Sequence, residues 1–417
     1  MPHLFSHAPG EDSTKLVFMS VGIGAFCASA GLAASGAFIA LYAQQVGVSM
    51  GEIGLLLASY YLISTIMTAI FGRLSDVGGL RKVSIVTGLA GSAVVYWFLA
   101  VSRNYVQLLF LYGLLLGVAD SAHRPASAAV IAEIARHKSV GWYLGVLNAF
   151  IAAGMAFGSV IGGWIADSLG LPFVFTAASF MLVVGAMSSL VVLKSGTNAR
   201  GGLAVGERKR GSRGGLNTTY FVASGMLLLC VDVFLRNCGF RGVSTFLSVY
   251  LAQLGAENTL IGSIVATNFV AQMFFMPIMG WISDKAGRKR VLSVGMFATI
   301  LTILLLSVVR NPLEVFPIQV MVGFSWASIT VASNAFAADV APPERLGEMM
   351  GMVLTSMNLG GVAGSVVAGM ISEVCDLRTT FRFLALFPVL SFLFSMKLAG
   401  KPDKDQVAKT PEPRKVS

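Results

Sequence analysis

Charge is scarce in this sequence. Asp, Glu, Lys and Arg make up 12% of its 417 residues against 55% for the hydrophobic types, too little polar material to coat a water-soluble globule. Histidine and cysteine number four each. Cys27, Cys230, Cys238 and Cys375 lie far apart or inside apolar stretches, without the paired spacing of a metal or redox motif, so no metal site and no cysteine chemistry are expected. There is no H-E-x-x-H, no P-loop of the form G-x-x-x-x-G-K-S/T, and no pair of Gly-x-Gly-Asp aspartates. An enzyme and a directly nucleotide-driven pump are therefore set aside, and no cofactor is expected.

What the chain has instead is apolar length. Twelve stretches of roughly 20 residues, the span an α-helix needs to cross about 30 Å of hydrocarbon, cover residues 16–42, 52–71, 83–102, 105–130, 143–166 and 172–193, then 219–249, 257–279, 290–309, 313–338, 347–370 and 380–398. The first is too long for the core of a signal peptide and reads as a retained helix. Each must be helical, because lipid offers no partner to bare backbone groups. The expected class is an all-α polytopic membrane protein in the lipid bilayer.

The net charge of +10 would suit nucleic acid, but its placement points elsewhere. With the N-terminus inside, 23 Lys and Arg fall on the cytoplasmic side and four (Arg103, Arg310, Arg378, Arg382) on the other. That asymmetry predicts both termini cytoplasmic, an inner-membrane location and no nucleic-acid partner.

The sequence repeats. An offset of 208 lays Gly72 on Gly280, Asp76 on Asp284, Tyr42 on Tyr250 and the Ile53-Gly54 pair on Ile261-Gly262. An offset of 206 lays Gly117 on Gly323, Glu133 on Asp339, Gly154 on Gly360 and Gly158 on Gly364. The predicted organisation is a cytoplasmic N-terminus (1–15), a six-helix bundle (16–193), a basic Gly-rich linker (194–218), a second bundle (219–398) and a cytoplasmic tail (399–417). An even number of helices per copy relates the halves by an axis along the membrane normal, with a site between them able to face either side.

The loop after the second span reads GRLSDVGGLRK (72–82) and that after the eighth GWISDKAGRKR (280–290). Both resemble the G-x-x-x-D-R/K-x-G-R/K-R/K hallmark of the major facilitator superfamily. The second copy is complete through Gly280, Asp284, Lys285, Gly287, Arg288 and Lys289, whereas the first keeps Gly72, Asp76, Gly79 and Arg81 but has Val77 and Leu80 in place of bases. In the family this motif gates the cytoplasmic side. Its physics is readable directly: glycine for close helix approach, a carboxylate for a helix N-terminus, and bases that fix the loop. Glu133 and Asp339 are expected to pair with these bases in one conformation. The fifth span carries GMAFGSVIGG (154–163), which resembles the drug:proton antiporter pattern G-x-x-x-G-P-x-x-G-G with Ser159 for proline. Its Gly154, Gly158, Gly162 and Gly163, together with Gly360 and Gly364 of the eleventh span, form flat faces for helix packing. Gly113 stands where several branches of the family carry arginine.

Ionisable residues well inside the spans are few: Asp120, His123 and Arg124 on the fourth, and Asp232, Arg236 and Arg241 on the seventh. Each costs about 3 kcal/mol at the bilayer centre unless paired or solvated. The resemblance implies that the first, fourth, seventh and tenth helices line the central cavity. Asp120 with Arg124, and Asp232 with Arg236, are spaced i, i+4 and so positioned for intrahelical pairs, either structural bridges or a coupling device. Three Arg against two Asp favour an anionic or zwitterionic substrate. Asn268, Gln272 and Trp326, the last equivalent to Asp120, complete the candidate cavity. The expected function is proton-driven efflux of a small organic molecule by a monomeric secondary transporter. The alternatives are import or facilitated passage of an organic anion and, more distantly, a membrane sensor or intramembrane enzyme.

Overall fold

The structure, a computed structural model, describes residues 11–75, 80–134, 140–194, 225–342 and 345–398. Among them all regular structure is helical. The first copy comprises α1 (Glu11–Gln45), α2 (Met50–Ser75), α3 (Leu80–Ala100), α4 (105–134), α5 (Val140–Ser168) and α6 (Leu171–Lys194). The second comprises α7 (Met226–Gln253), α8 (Asn258–Ala286), α9 (Arg288–Leu306), α10 (Val315–Val340), α11 (Leu346–Val374) and α12 (377–395). Eleven candidate spans among the described residues are long and apolar enough to cross a membrane. The twelfth helix, α7, has the length, 28 residues, but bears three charges.

Two compact units emerge, one taking in residues up to 207 together with 251–270, the other 208–250 with 271–417. In the first, α1 packs on α5 and α6, α3 on α4 and α6, and α2 on α4. In the second, α9 packs on α10 and α12, and α11 on α10 and α12. Large apolar side chains such as Phe180, Trp281 and Val374 stay exposed on the helix surfaces. That is costly in water and ordinary in lipid.

Two helices depart from the regular form expected of them. α4 runs as α-helix over Tyr105–Leu108, as π-helix over Leu109–Leu116 and as α-helix again over Gly117–Ile134, so a widened turn, a feature frequent at functional sites, directly precedes Asp120. α12 breaks between Leu377–Leu384 and Leu386–Ser395, because Pro388 has no N–H for the carbonyl of Leu384. Gly239 of α7 lies against that freed carbonyl and the proline ring, where a Cβ would crowd both. The seventh helix begins at Met226, after Gly225 at φ 74°, later than the expected 219. Residues 219–224, the linker from 195 on, the first ten residues and the tail lie outside the described residues.

The duplication is visible in packing. A Cβ on Gly158 would overlap the carbonyl oxygen of Ala30, and one on Gly364 that of Cys238. Gly154 meets Phe26 and Gly360 meets Phe234 in the same way. The two copies therefore make one helix contact twice, α5 on α1 and α11 on α7, with backbone against backbone. Tyr42 OH donates to Ser102 O at 2.5 Å and its ring packs on Phe175, while Tyr250 OH donates to Val309 O at 3.1 Å and packs on Phe381. These equivalent tyrosines close equivalent helix ends. Gly364→Leu is expected to lower the thermal midpoint in detergent by several degrees, since overpacking costs about 1–3 kcal/mol. Gly351→Ala, whose added methyl meets nothing within 4 Å, should leave it unchanged; thermal unfolding followed by tryptophan fluorescence reads both.

Candidate functional site

Each unit holds one buried charged cluster. In the first, Asp120 sits one turn past the π-helical stretch, buried on the inner side of α4. Its Oδ1 lies 3.1 Å from His123 Nε2, and its Oδ2 receives Arg124 Nη2 at 3.1 Å and the Tyr60 hydroxyl at 2.8 Å. Tyr60 packs against Tyr61 and Tyr112. The carboxylate thus meets three donor groups on its two oxygens, the condition under which a buried charge is tolerated. Arg124 pairs through one edge and leaves 48% of its side chain accessible, whereas His123 is buried.

The second unit is built differently. Asp232, Arg236 and Asn237 of α7 are wholly buried, yet the expected Asp232–Arg236 ion pair is absent among the described residues. Asp232 Oδ1 accepts from Ser391 Oγ of α12 at 2.5 Å, and Oδ2 has no partner. Arg236 turns the other way. Its Nε donates to Thr299 Oγ1 of α9 at 3.3 Å and its Nη1 to Asn237 Oδ1 at 3.5 Å, while Nη2 is unpartnered. Its guanidinium lies over the rings of Phe240 (4.3 Å) and Trp326 (5.0 Å), where cation–π attraction replaces the missing carboxylate. Arg241 lies 5.2 Å from the same indole. Ridge geometry allows an i, i+4 pair but does not compel it, and here each partner found a tertiary contact on α9, α10 or α12 that outcompetes the bridge.

The loop motif of the second copy is ordered by one arginine. Gly287, at φ 92°, lies in the left-handed region that favours glycine, and it lets α9 start one residue after α8 ends. Arg288 then bonds Asp284 through Nη1 and reaches Asp339 of α10 through Nε at 3.1 Å. Asp284 therefore meets its own motif's base, at the first position of α9. Among the described residues a methyl at Gly72 would meet nothing within 4 Å and one at Gly280 only Val331 at 3.8 Å. Asp76 and Gly79 fall outside the described residues. Arg81 lies in the first turn of α3 and Glu133 in the last turn of α4.

Asn268 and Gln272 stand one turn apart on α8, both half-buried. Gly162 packs on Ala34 and Phe38, and Gly163 against Asn258 and Thr259 at the start of α8. No group of three or more His, Cys, Asp or Glu able to hold a metal occurs among the described residues. Sequence reasoning missed Tyr60 as a partner of Asp120, Ser391 as the partner of Asp232, Phe240 beneath Arg236, and Asp167, which binds the start of α8. A tyrosine or serine among hundreds of apolar residues carries no spacing signal until the helices are packed.

A family profile described as "MFS_1 like family" matches residues 19–383. Among similar proteins are an uncharacterised MFS-type transporter of Methanocaldococcus jannaschii, 24% identical over 91% of this chain and 97% of its own length, and the multidrug resistance protein MdtG of Klebsiella pneumoniae, 23% identical over 92% and 95%. The multi-drug resistance efflux pump PmrA homolog of Lactococcus lactis is 26% identical over 86% and 88%. Among solved structures, the nucleoside transporter NupG superposes with a TM-score of 0.73 at 13% identity, covering 92% of this chain and 98% of that one. A bacterial homolog of the human lysosomal transporter Spinster gives 0.76 at 12% identity, covering 93% and 97%.

Tyr60→Phe removes one of three donors from Asp120, and a hydrogen bond to a charged acceptor is worth about 1.5–3 kcal/mol, so a fall of a few degrees in the thermal midpoint is expected. The double variant Tyr60→Phe with Asp120→Asn should cost less than the sum of the two single ones, since both remove the same bond. Strict additivity would show that the contact contributes nothing.

Proposed function

The chain belongs to the MFS_1 like family, and we propose that it exports a small organic anion or zwitterion by alternating access, driven by the proton gradient. It is a multi-pass membrane protein and a transporter, not an enzyme. The observation that carries the substrate class is the pair of guanidiniums, Arg236 at 5.0 Å and Arg241 at 5.2 Å, converging on the indole of Trp326. Two guanidiniums beside one indole favour a carboxylate or phosphate, which also fills the open valence of Arg236 Nη2. Phe240 and Trp326, their rings tilted by 39°, supply aromatic surface for an organic body. Export as the direction is supported by the relatives named as multidrug resistance proteins. An inner-membrane location with cytoplasmic termini is supported by the 23-to-4 charge bias.

Asp232 is the proposed proton carrier. With no substrate bound, Asp232, held by Ser391, carries a proton on its open Oδ2; a zwitterion whose carboxylate engages Arg236 brings its cationic group to Asp232 and displaces that proton. When the substrate leaves, Asp232 takes a proton again from the side the substrate has left to, so proton and substrate occupy the site in turn and cross in opposite senses. Proton and substrate then change each other's affinity equally, as linkage requires. The Asp284–Arg288–Asp339 bridge is the proposed conformational latch at the face of the membrane bearing the basic loops. Partly exposed and worth about 0–1 kcal/mol per pair, it biases an equilibrium without locking it.

In proteoliposomes carrying an entrapped pH dye, a panel of small aromatic carboxylates and zwitterions should include members whose addition moves protons in the opposite sense to substrate. Asp232→Asn is expected to abolish accumulation against a gradient while leaving substrate binding measurable and nearly independent of pH. Uphill transport by that variant would make Asp232 a structural group only. Asp284→Asn should leave the thermal midpoint within about 2 °C, given the small worth of exposed pairs, yet increase labelling of single cysteines from the basic-loop face. Unchanged labelling from both faces would refute the latch.

A further inference from the structure

At the end of α5 the carboxylate of Asp167 does the work of a helix cap for a helix in the other repeat. Its Oδ1 accepts from the backbone N–H of Asn258 at 3.0 Å and from Asn258 Nδ2 at 2.8 Å. Its Oδ2 accepts from the backbone N–H of Thr259 at 2.7 Å and from Thr259 Oγ1 at 2.6 Å. The two amides are the first of α8, which no intrahelical carbonyl can serve, and a negative charge there also meets the positive end of the helix dipole. All four hydrogen bonds are exposed at the surface.

The approach that permits these bonds is built from glycine on both sides. A Cβ on Gly163 would overlap the carbonyl oxygen of Asn258, and a Cβ on Gly262 would overlap that of Ser159. The first turns of α8 thus lie on α5 with backbone against backbone, and residues 251–270 group with the first unit although they belong to the second copy. Asn258 lies 26 residues from Asp284 on one helix, about 39 Å at 1.5 Å per residue. The cap and the Arg288 bridge therefore occupy opposite faces of the membrane. A wholly buried carboxylate with four donors would be a permanent strut. A solvated one with the same donors holds a preferred arrangement and still releases on the timescale of transport.

We propose that Asp167 is a positioning residue for the transport cycle: it latches the N-terminus of α8 to the C-terminal end of α5 in one transport state and lets it go in the other. The proposal rests on the alternating-access reading above, but on neither its substrate nor its coupling proton. Loss of the carboxylate removes all four bonds and shifts the population toward the parted state. Loss of one oxygen's charge and acceptor strength shifts it less, and loss of the Thr259 hydroxyl alone shifts it least.

The test is a distance distribution from paired spin labels at Leu169→Cys and Glu257→Cys, both exposed positions flanking the cap, in a Cys375→Ser background in nanodiscs. With Asp167 present, one short distance should dominate. Asp167→Ala is expected to raise the ratio of long to short distances by about tenfold, the order set by losing hydrogen bonds to a charged acceptor, with Asp167→Asn intermediate and Thr259→Val smallest. Superimposable distributions for Asp167→Ala and its parent would overturn the latch. Should thermal unfolding show that Asp167→Ala does not fold, Asp167→Asn decides: a distribution identical to the parent's overturns the proposal and a partial shift upholds it. No substrate and no pH gradient enter this measurement, so a failed export assay with shifting distances leaves the latch standing, and unmoved distances with intact transport remove the latch alone.

Discussion

Hydrocarbon offers no hydrogen-bond partner, and the rest of this structure follows from that. Every described residue of regular structure is helical because only a helix satisfies its own backbone within the span. Many hydroxyls meet the same constraint locally: Ser159, Ser263, Thr267 and Ser328 each donate to the carbonyl four residues back, so none of these four presents a bare O–H. Charges face a sterner version of the rule, and the two clusters are two answers to it. Asp120 collects three donors. Arg236 collects two weak acceptors and two aromatic faces and still leaves one nitrogen bare.

Where hydrophobicity does not distinguish one helix face from another, close contact has to hold the bundle together. Glycine supplies it here, and the same choice appears in both copies: Gly154 and Gly158 against the backbone of α1, Gly360 and Gly364 against that of α7. The benefit is dispersion between backbones that approach too closely for any Cβ. The contact is also indifferent to lipid and weakly directional, so helices joined this way can shift along one another more readily than helices keyed by large side chains.

This division explains what could be read from the sequence. The membrane class, the spans and the repeat were legible, because apolar length and glycine spacing are properties of the chain itself. The glycines of the fifth and eleventh spans and the paired tyrosines, Tyr42 and Tyr250, could be aligned from letters alone, and the structure shows what they touch. The intramembrane charges were legible as a set but not in their partners. An i, i+4 spacing said that Asp232 and Arg236 were able to meet; it could not say that Ser391 of α12 and Thr299 of α9 would separate them, since those residues lie 159 and 63 positions away. The π-helical stretch before Asp120 and the cap made by Asp167 were invisible for the same reason: one is a change of hydrogen-bond register within an unbroken apolar run, the other a contact over 91 residues.

The contrast between the clusters carries the functional argument. Duplication began with equal halves, and the position that holds Asp120 in one holds Trp326 in the other. A buried carboxylate with three donors in place, like Asp120, is already largely satisfied and has less to gain from a ligand. The second unit is the reverse case. Asp232 and Arg236 each keep one orphaned atom in a buried interior, a cost that their tertiary contacts offset only in part. Such a place responds to small additions: one proton quiets the carboxyl and one anion the guanidinium, and each addition alters the advantage of the other. Energy left unspent in a packed core is energy a ligand can collect, and only a ligand that collects it differently in two conformations can drive one into the other. On the proposed reading, the asymmetry between the halves lets one half anchor while the other couples.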